Sequence, residues 1–344
     1  MTVDVHKYEY STVLKIYKHC LNLPLNYYYI WYKYKDVRIK VLVVGSKGLV
    51  GSSIVRIFNE DSSNFQIISS TREDTNLFDL DATKKLIDMT RPDILIIAAA
   101  RVGGIVANNT KRTEFIFENL KINMNLFEAS IPYNNMKIIN LGSSCIYPLN
   151  ASNPISEDSF MTGMLEPTNS PYAMAKITAI EIGRSLNLQF GHKVINIMPT
   201  NLYGPNDFYS ETDSHVIPGM IFRMHKAKTN QEDKFLIWGT GSPLREFLFV
   251  DDLAMAIKYI IEENIEIDLI NVGSGYEISI KELAEKIKKV ISFEGELSFD
   301  AEKPDGNPRK LLDSTKINDL GWKSKTDLDS GLKTSYEWFL ENII

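Results

Sequence analysis

Cysteine is nearly absent from this chain: Cys20 and Cys145 are the only two among 344 residues. They stand in dissimilar segments, which argues against a disulfide framework and makes a reducing, cytoplasmic setting the expectation. Positive charge is also short. Lys and Arg total 38 against 44 Asp and Glu, a formal net charge of -6, so the charge balance gives no support to a nucleic-acid surface. Long apolar runs are missing from the N-terminal segment, where Lys15, Lys18, His19, Pro24 and Lys33 interrupt every window of the ~20 residues that a membrane span needs. The same segment lacks the compact apolar core and small cleavage-site residues of a signal peptide. No internal repeat and no long low-complexity tract follows residue 38. The remainder is ordinary: 44% hydrophobic and 24% charged, the composition of a soluble globular protein, with length for one large domain or two.

The first 38 residues carry a tyrosine-rich run from Asn26 to Lys35. They are expected to form a poorly ordered extension, the alternative being an interfacial or partner-binding segment. From Arg38 onward short apolar runs alternate with helical periodicity. Strands are predicted at 39–44, 65–69, 93–100, 137–141 and 193–198, and helices at 54–59, 82–89, 113–130 and 170–190. That alternation predicts βαβ units and a parallel sheet covered on both faces. After Pro205 prolines punctuate shorter elements, with helices predicted at 216–226, 251–263 and 279–290. The run from Ile270 to Gly273 is a candidate strand returning to the large sheet. The reading is therefore an α/β protein: a Rossmann-type doubly wound parallel sheet over 39–204, then a smaller substrate-binding lobe over 205–344, with 246–275 returning to the sheet domain.

Gly45, Gly48 and Gly51 form a Gly-x-x-Gly-x-x-Gly turn between the first strand and the first helix. Glycine permits the tight turn and close approach of backbone to a pyrophosphate, and the helix N-terminus favours its charge. The second strand ends not in the Asp or Glu that holds a ribose hydroxyl but in Ser69-Ser70-Thr71-Arg72. Arg72, assisted by Lys47, suits a 2′-phosphate, which favours NADP over NAD. The alternative for Arg72 is an ordinary solvated loop charge.

Tyr172 and Lys176 lie four apart on a predicted helix and share one face. An ammonium there is expected to bring the phenol's pKa down toward neutrality. Ser143, just past the strand that ends at Leu141, supplies a hydroxyl for the same substrate oxygen. This is equipment for hydride chemistry at a carbonyl or alcohol.

Ser143, Tyr172 and Lys176 downstream of that glycine turn resemble the extended short-chain dehydrogenase/reductase family. Further runs narrow the resemblance: Ala98 to Asn108, Leu141 to Pro148, Leu165 to Asn169, Met198 to Pro205, Ser214 to Pro218, Trp238 to Leu248 and Lys303 to Gly306. They look like the epimerase/reductases that convert GDP-4-keto-6-deoxy-D-mannose to GDP-L-fucose, over about residues 39 to 340. The resemblance implies NADPH as cofactor and no metal. It implies Ser143, Tyr172 and Lys176 as the reduction machinery, Cys145 as base and His215 as acid for inverting C3 and C5. It places the cofactor on Gly45, Ser46, Lys47, Gly48, Leu49, Val50 and Gly51, on Arg72, Asn76 and Leu77, and on Leu141, Gly142 and Ser144. Lys176, Pro199, Thr200, Asn201, Leu202 and His215 complete that set. Arg223, Trp238, Arg245, Asp305 and, more weakly, Lys310 are implied for the GDP end. A homodimer through helix 113–130 and the helix of Tyr172 is implied as well.

Each residue has a plainer alternative. Cys145 alone reads as a small buried hydrophobe, His215 as a structural histidine, and Arg245 as a partner for Glu246. The rival functions are action on another nucleotide-4-ketosugar and a non-catalytic NADP-binding redox sensor. Three departures from the family pattern stand out: the 206–213 loop, Phe249 in place of a common histidine, and Lys47 in place of a usual arginine.

Overall fold

Strands with apolar residues on both faces need cover on both faces. The computed structural model, which describes residues 38–303 and 305–344, provides it. The tyrosine-rich segment and Cys20 lie outside the described residues. The first half runs β1 (Ile39–Val44), α1 (Leu49–Asn59), β2 (Phe65–Ser70), α2 (Leu80–Thr90), β3 (Ile94–Ile97), α3 (Ile105–Thr110), α4 (Arg112–Ser130), β4 (Lys137–Leu141), α5 (Ser170–Phe190) and β5 (Lys193–Pro199). The second half runs β6 (Asn201–Tyr203), α6 (Val216–Thr229), β7 (Lys234–Trp238), β8 (Leu244–Phe249), α7 (Val250–Glu262), β9 (Leu269–Val272), β10 (Glu277–Ser279), α8 (Ile280–Ile291), β11 (Glu296–Asp300), β12 (Arg309–Lys310), α9 (Thr315–Asp319) and α10 (Leu328–Asn342).

Six strands form one sheet in the order β2-β1-β3-β4-β5-β9, and every neighbouring pair is parallel. Alternate residues serve opposite faces. Val41, Val43 and Ile96 pack against Ile54 and Phe58 of α1 and Leu253 and Ile257 of α7. Leu42, Val44 and Leu95 pack against Ile87 of α2, Leu126 of α4 and Ala179 of α5. Asp251 ties α7 to α1 by accepting from Ser53 Oγ at 2.6 Å and from Arg56. Strand order reverses between β1 and β3, so the crevice outside the carboxyl ends there is where a doubly wound sheet takes a ligand. The second half builds small sheets from β6, β8, β10 and β12 and from β7 and β11, around a separate apolar core with α6, α8 and α10. Among the described residues no helix is long and apolar enough to cross a membrane.

Three elements of the first half differ most from the sequence reading. Helix α1 begins at Leu49 rather than Ile54 because extended Gly48 is its N-cap, so the third glycine lies inside the helix. Strand β3 stops at Ile97, not Ala100, because Ala98 to Ala100 leave the ladder to line the crevice above Gly45. Helix α3, capped by extended Gly104, follows the Gly103-Gly104 pair that otherwise reads as a stop.

Candidate active site

Gly45 has a φ of +79°, and a Cβ on it would lie 2.6 Å from the Ala99 backbone nitrogen. A Cβ on Gly51 would lie 2.1 Å from the Gly45 carbonyl oxygen. Both positions therefore require glycine, and together they seat the start of α1 directly on the turn. The crevice above it has a volume of about 290 Å³ and is lined by Gly45, Lys47, Gly48, Arg72, Asn76, Leu77 and Ala98 to Ala100. Ser46 turns inward and its N–H donates to the Ser70 carbonyl at 3.2 Å. Leu49 and Val50 form the first, half-buried turn of α1. The two cations stand at the crevice mouth. Lys47 pairs with Glu73 at 2.5 Å, which raises its pKa, and Arg72 lies 3.9 Å from Glu118 and over the Phe78 ring at 5.7 Å. A dinucleotide fits this chain: glycine where backbone must approach, helix N-terminal amides, and two cations near the second strand's end.

The reacting groups collect where β4 ends. Ser143 caps a short 3-10 turn over Ser144–Ile146, and its Oγ accepts from the Cys145 N–H at 3.2 Å. Tyr172, half-buried on the first turn of α5, sits beside both. Burial raises its phenol well above the ordinary value, Cys145 raises it further, and a hydrogen bond with Ser143 offsets part of the rise. The sequence reading expected the opposite direction, through the Lys176 ammonium. Lys176 does lie over the Tyr172 ring, at 5.9 Å from its centroid, but its Nζ donates to the Leu141 carbonyl at 2.7 Å. Burial lowers Lys176 itself to about 8. Tyr172 is thus held protonated, the form that donates. Phe115 of α4 meets the tyrosine ring edge-on at 6.4 Å.

His215 is the N-cap of α6, and the surrounding protein lowers its imidazole pKa by desolvation. Its loop is hooked onto the sheet domain. The Gly104 N–H donates to the Asp213 carbonyl at 3.0 Å, and a Cβ on Gly104 would lie 2.5 Å from the Ser214 carbonyl oxygen. Thr200 and Asn201, past the end of β5, both donate to the Glu246 carbonyl, at 3.2 and 2.8 Å, while Gly142, Ser144 and Pro199 are buried beneath the site and Leu202 packs in the core.

In the second lobe Arg223 lies over Trp238 at 5.0 Å and Phe235 at 5.2 Å, and burial lowers its pKa. Arg245 donates to the Leu244 carbonyl at 2.8 Å and to the Asp305 carbonyl at 3.5 Å. It does not pair with Glu246: adjacent residues of β8 face opposite ways, and the Glu246 carboxylate accepts from Gly275 and Leu312 N–H groups at 2.8 and 3.1 Å. The Asp305 carboxylate is engaged by Thr240, from N–H at 2.7 Å and Oγ1 at 2.8 Å, and so fixes the Gly239-Thr240-Gly241 turn. Lys310 is paired with Arg245 across β12 and β8, and its Nζ lies 3.7 Å from Cys145 Sγ. Sequence reasoning missed Glu166, whose carboxylate accepts from Thr168 Oγ1 and the Thr168 and Asn169 N–H groups at 2.6, 3.1 and 2.9 Å and so fixes the entry to α5. The Glu-Pro-Thr-Asn run before Tyr172 was the available signal.

Residues 41–273 match the model of the NAD dependent epimerase/dehydratase family. The chain is 44% identical to GDP-L-fucose synthase 1 of Arabidopsis thaliana over 308 residues, 90% of this chain and 95% of that one. It is 44% identical to GDP-L-fucose synthase of Escherichia coli K12 over 312 residues, 88% of this chain and 97% of that one. Among solved structures, a GDP-6-OMe-4-keto-L-xylo-heptose reductase from C. jejuni superposes with a TM-score of 0.83 at 31% identity, covering 88% of this chain and 98% of that one. A GDP-L-fucose synthetase from Naegleria fowleri bound to NADP gives 0.80 at 28% identity, covering 89% and 95%.

Proposed function

Since the chain belongs to the NAD dependent epimerase/dehydratase family, we propose that it converts GDP-4-keto-6-deoxy-D-mannose to GDP-L-fucose, inverting C3 and C5 before reducing the C4 ketone. The observation that carries the proposal is Cys145 in one group with Ser143 and Tyr172. A simple ketone reductase has no use for a second proton carrier beside its tyrosine. The relatives at 44% identity carry the same activity in their names. The heptose reductase likeness keeps other GDP-4-ketosugars as the second reading.

The C4 ketone acidifies the protons on its two neighbouring carbons. Cys145 removes such a proton, and His215 returns one on the other face, since thiol and imidazole both exchange protons near neutrality. Charge then rests on the C4 oxygen, where the Ser143 and Tyr172 hydroxyls stabilise it as oxyanion-hole donors do. The glycine turn would hold NADPH, with Lys47 and Arg72 suited to its 2′-phosphate, and the bound cofactor would supply the hydride for C4. Tyr172 gives the oxygen its proton, and its raised pKa suits that direction. Arg223 and Arg245, whose guanidinium groups form forks, are assigned to the GDP diphosphate, with Trp238 beside Arg223.

Purified protein mixed with GDP-4-keto-6-deoxy-D-mannose and NADPH is expected to consume the reduced cofactor, followed by its absorbance. Folded protein that consumes none would end this reading. The pH profile follows from Lys176. Its ammonium is charged below about 8 and loses its proton as pH rises through that value, while Tyr172 stays protonated. Ketone reduction is therefore expected to decline along one limb centred at about 8, and a rate rising through that region contradicts the assignment. We also assign a homodimer through α4 and α5, which leave Phe117, Met124, Met174 and Leu188 exposed. Sedimentation at the mass of one chain would refute it.

A further inference from the structure

Resting on the epimerase reading, we propose that Lys310 holds Cys145 as a thiolate and so sets the base that starts the reaction, instead of gripping the GDP diphosphate. Its Nζ lies 3.7 Å from the Cys145 Sγ. An ammonium has only protons to give, so the sulfur is the acceptor, and an anionic sulfur accepts best. A neighbouring lysine is one of the settings that favour thiolate over thiol.

The backbone around Lys310 is held from several sides. In β12 it pairs with Arg245 of β8. The Leu244 N–H donates to the Pro308 carbonyl at 2.9 Å. The next two N–H groups donate to Asn153 Oδ1 at 2.8 Å and to the buried Glu246 carboxylate at 3.1 Å. The buried carboxylate in the Arg-Glu-Phe run thus fixes the strand that delivers the ammonium to the thiol.

The other charged and titratable groups leave this pairing in place. Tyr172, from α5, is held neutral by burial. Lys176, from the same helix, is turned to the Leu141 carbonyl at 2.7 Å. Glu166, ahead of α5, feels the charge of Lys310, but its oxygens are engaged by Thr168 and Asn169. His215 stands on the separate loop ahead of α6. In the step itself the substrate C–H bond breaks and an S–H bond forms on Cys145. The electron pair left on carbon moves into the enolate, with its charge on the ketone oxygen. Lys310 keeps its proton throughout and acts as a positioning residue.

The test is the rate of iodoacetamide alkylation at the Cys145 peptide against pH, read by mass spectrometry so that Cys20 does not contribute. In the unmodified protein Cys145 is expected to be alkylated at neutral pH about tenfold faster than an ordinary exposed thiol. Lys310→Met is expected to remove that excess and slow alkylation by about tenfold. Lys310→Arg keeps the charge and is expected to keep the fast rate. A native thiol that is alkylated no faster than an ordinary one overturns the proposal without any variant. So does a Lys310→Met profile that coincides with the native one while KM for the sugar nucleotide rises, which is the signature of a diphosphate contact. Alkylation needs no sugar, so its failure leaves the epimerase reading standing, and failure of the sugar assay leaves the thiol measurement valid.

Discussion

Replacing Tyr172 by Phe is expected to slow NADPH oxidation with the keto sugar by about 10²–10⁴-fold, the usual range for losing a general acid. Solvent exchange at C3 and C5 should survive far better. The phenol is the proton source for the C4 alkoxide, and burial holds it protonated. The enolate, by contrast, keeps Ser143 as a second donor, and removing one oxyanion donor of two leaves the other in place. Tyr172→Phe retains the ring that meets Phe115 edge-on at 6.4 Å, so the loss reports the hydroxyl and not the packing. Following cofactor absorbance and deuterium uptake in the same sample separates the two steps. Equal losses in both would mean that Tyr172 serves one rate-limiting event and not a sequence of two.

Cys145→Ser is expected to give the complementary pattern, with exchange at C3 and C5 reduced by about 10²–10⁴-fold. A serine hydroxyl is far less acidic than a thiol and supplies no usable anion near neutral pH. The exchange is small enough to preserve the short turn, whose cap is the Ser143 oxygen accepting from the backbone N–H of residue 145 at 3.2 Å. Wild-type exchange in Cys145→Ser would remove the thiol from the mechanism.

The parallel sheet was legible because strands such as Ile39–Val44 and Ile94–Ile97 carry apolar residues on both faces, a pattern that two-sided burial explains. Helix α5 was read with both ends correct, from Ser170 beside Pro171 to the left-handed Gly191 cap. The second half was harder to read. Strands β10 and β12 have three residues and two, too short for any period, and exist because β8 gives them a partner. The glycine turn was visible, but not that helix α1 would enclose its third glycine. Tyr172, Lys176 and Ser143 were found by type and spacing, and Cys145 through the family resemblance, yet the direction of the tyrosine's pKa was misjudged. Spacing puts the ammonium near the ring, while only the fold shows Lys176 donating to the Leu141 carbonyl. The contact of Lys310 with Cys145 was not legible either, because it crosses 165 positions of sequence.

The central claim is that proton exchange at carbon precedes reduction at the neighbouring ketone. The most direct measurement is to run the complete reaction in D₂O with protiated NADPH and determine deuterium in the product position by position. The account predicts deuterium at C3 and C5 and protium at C4. Product that carries protium at C3 and C5 would contradict it.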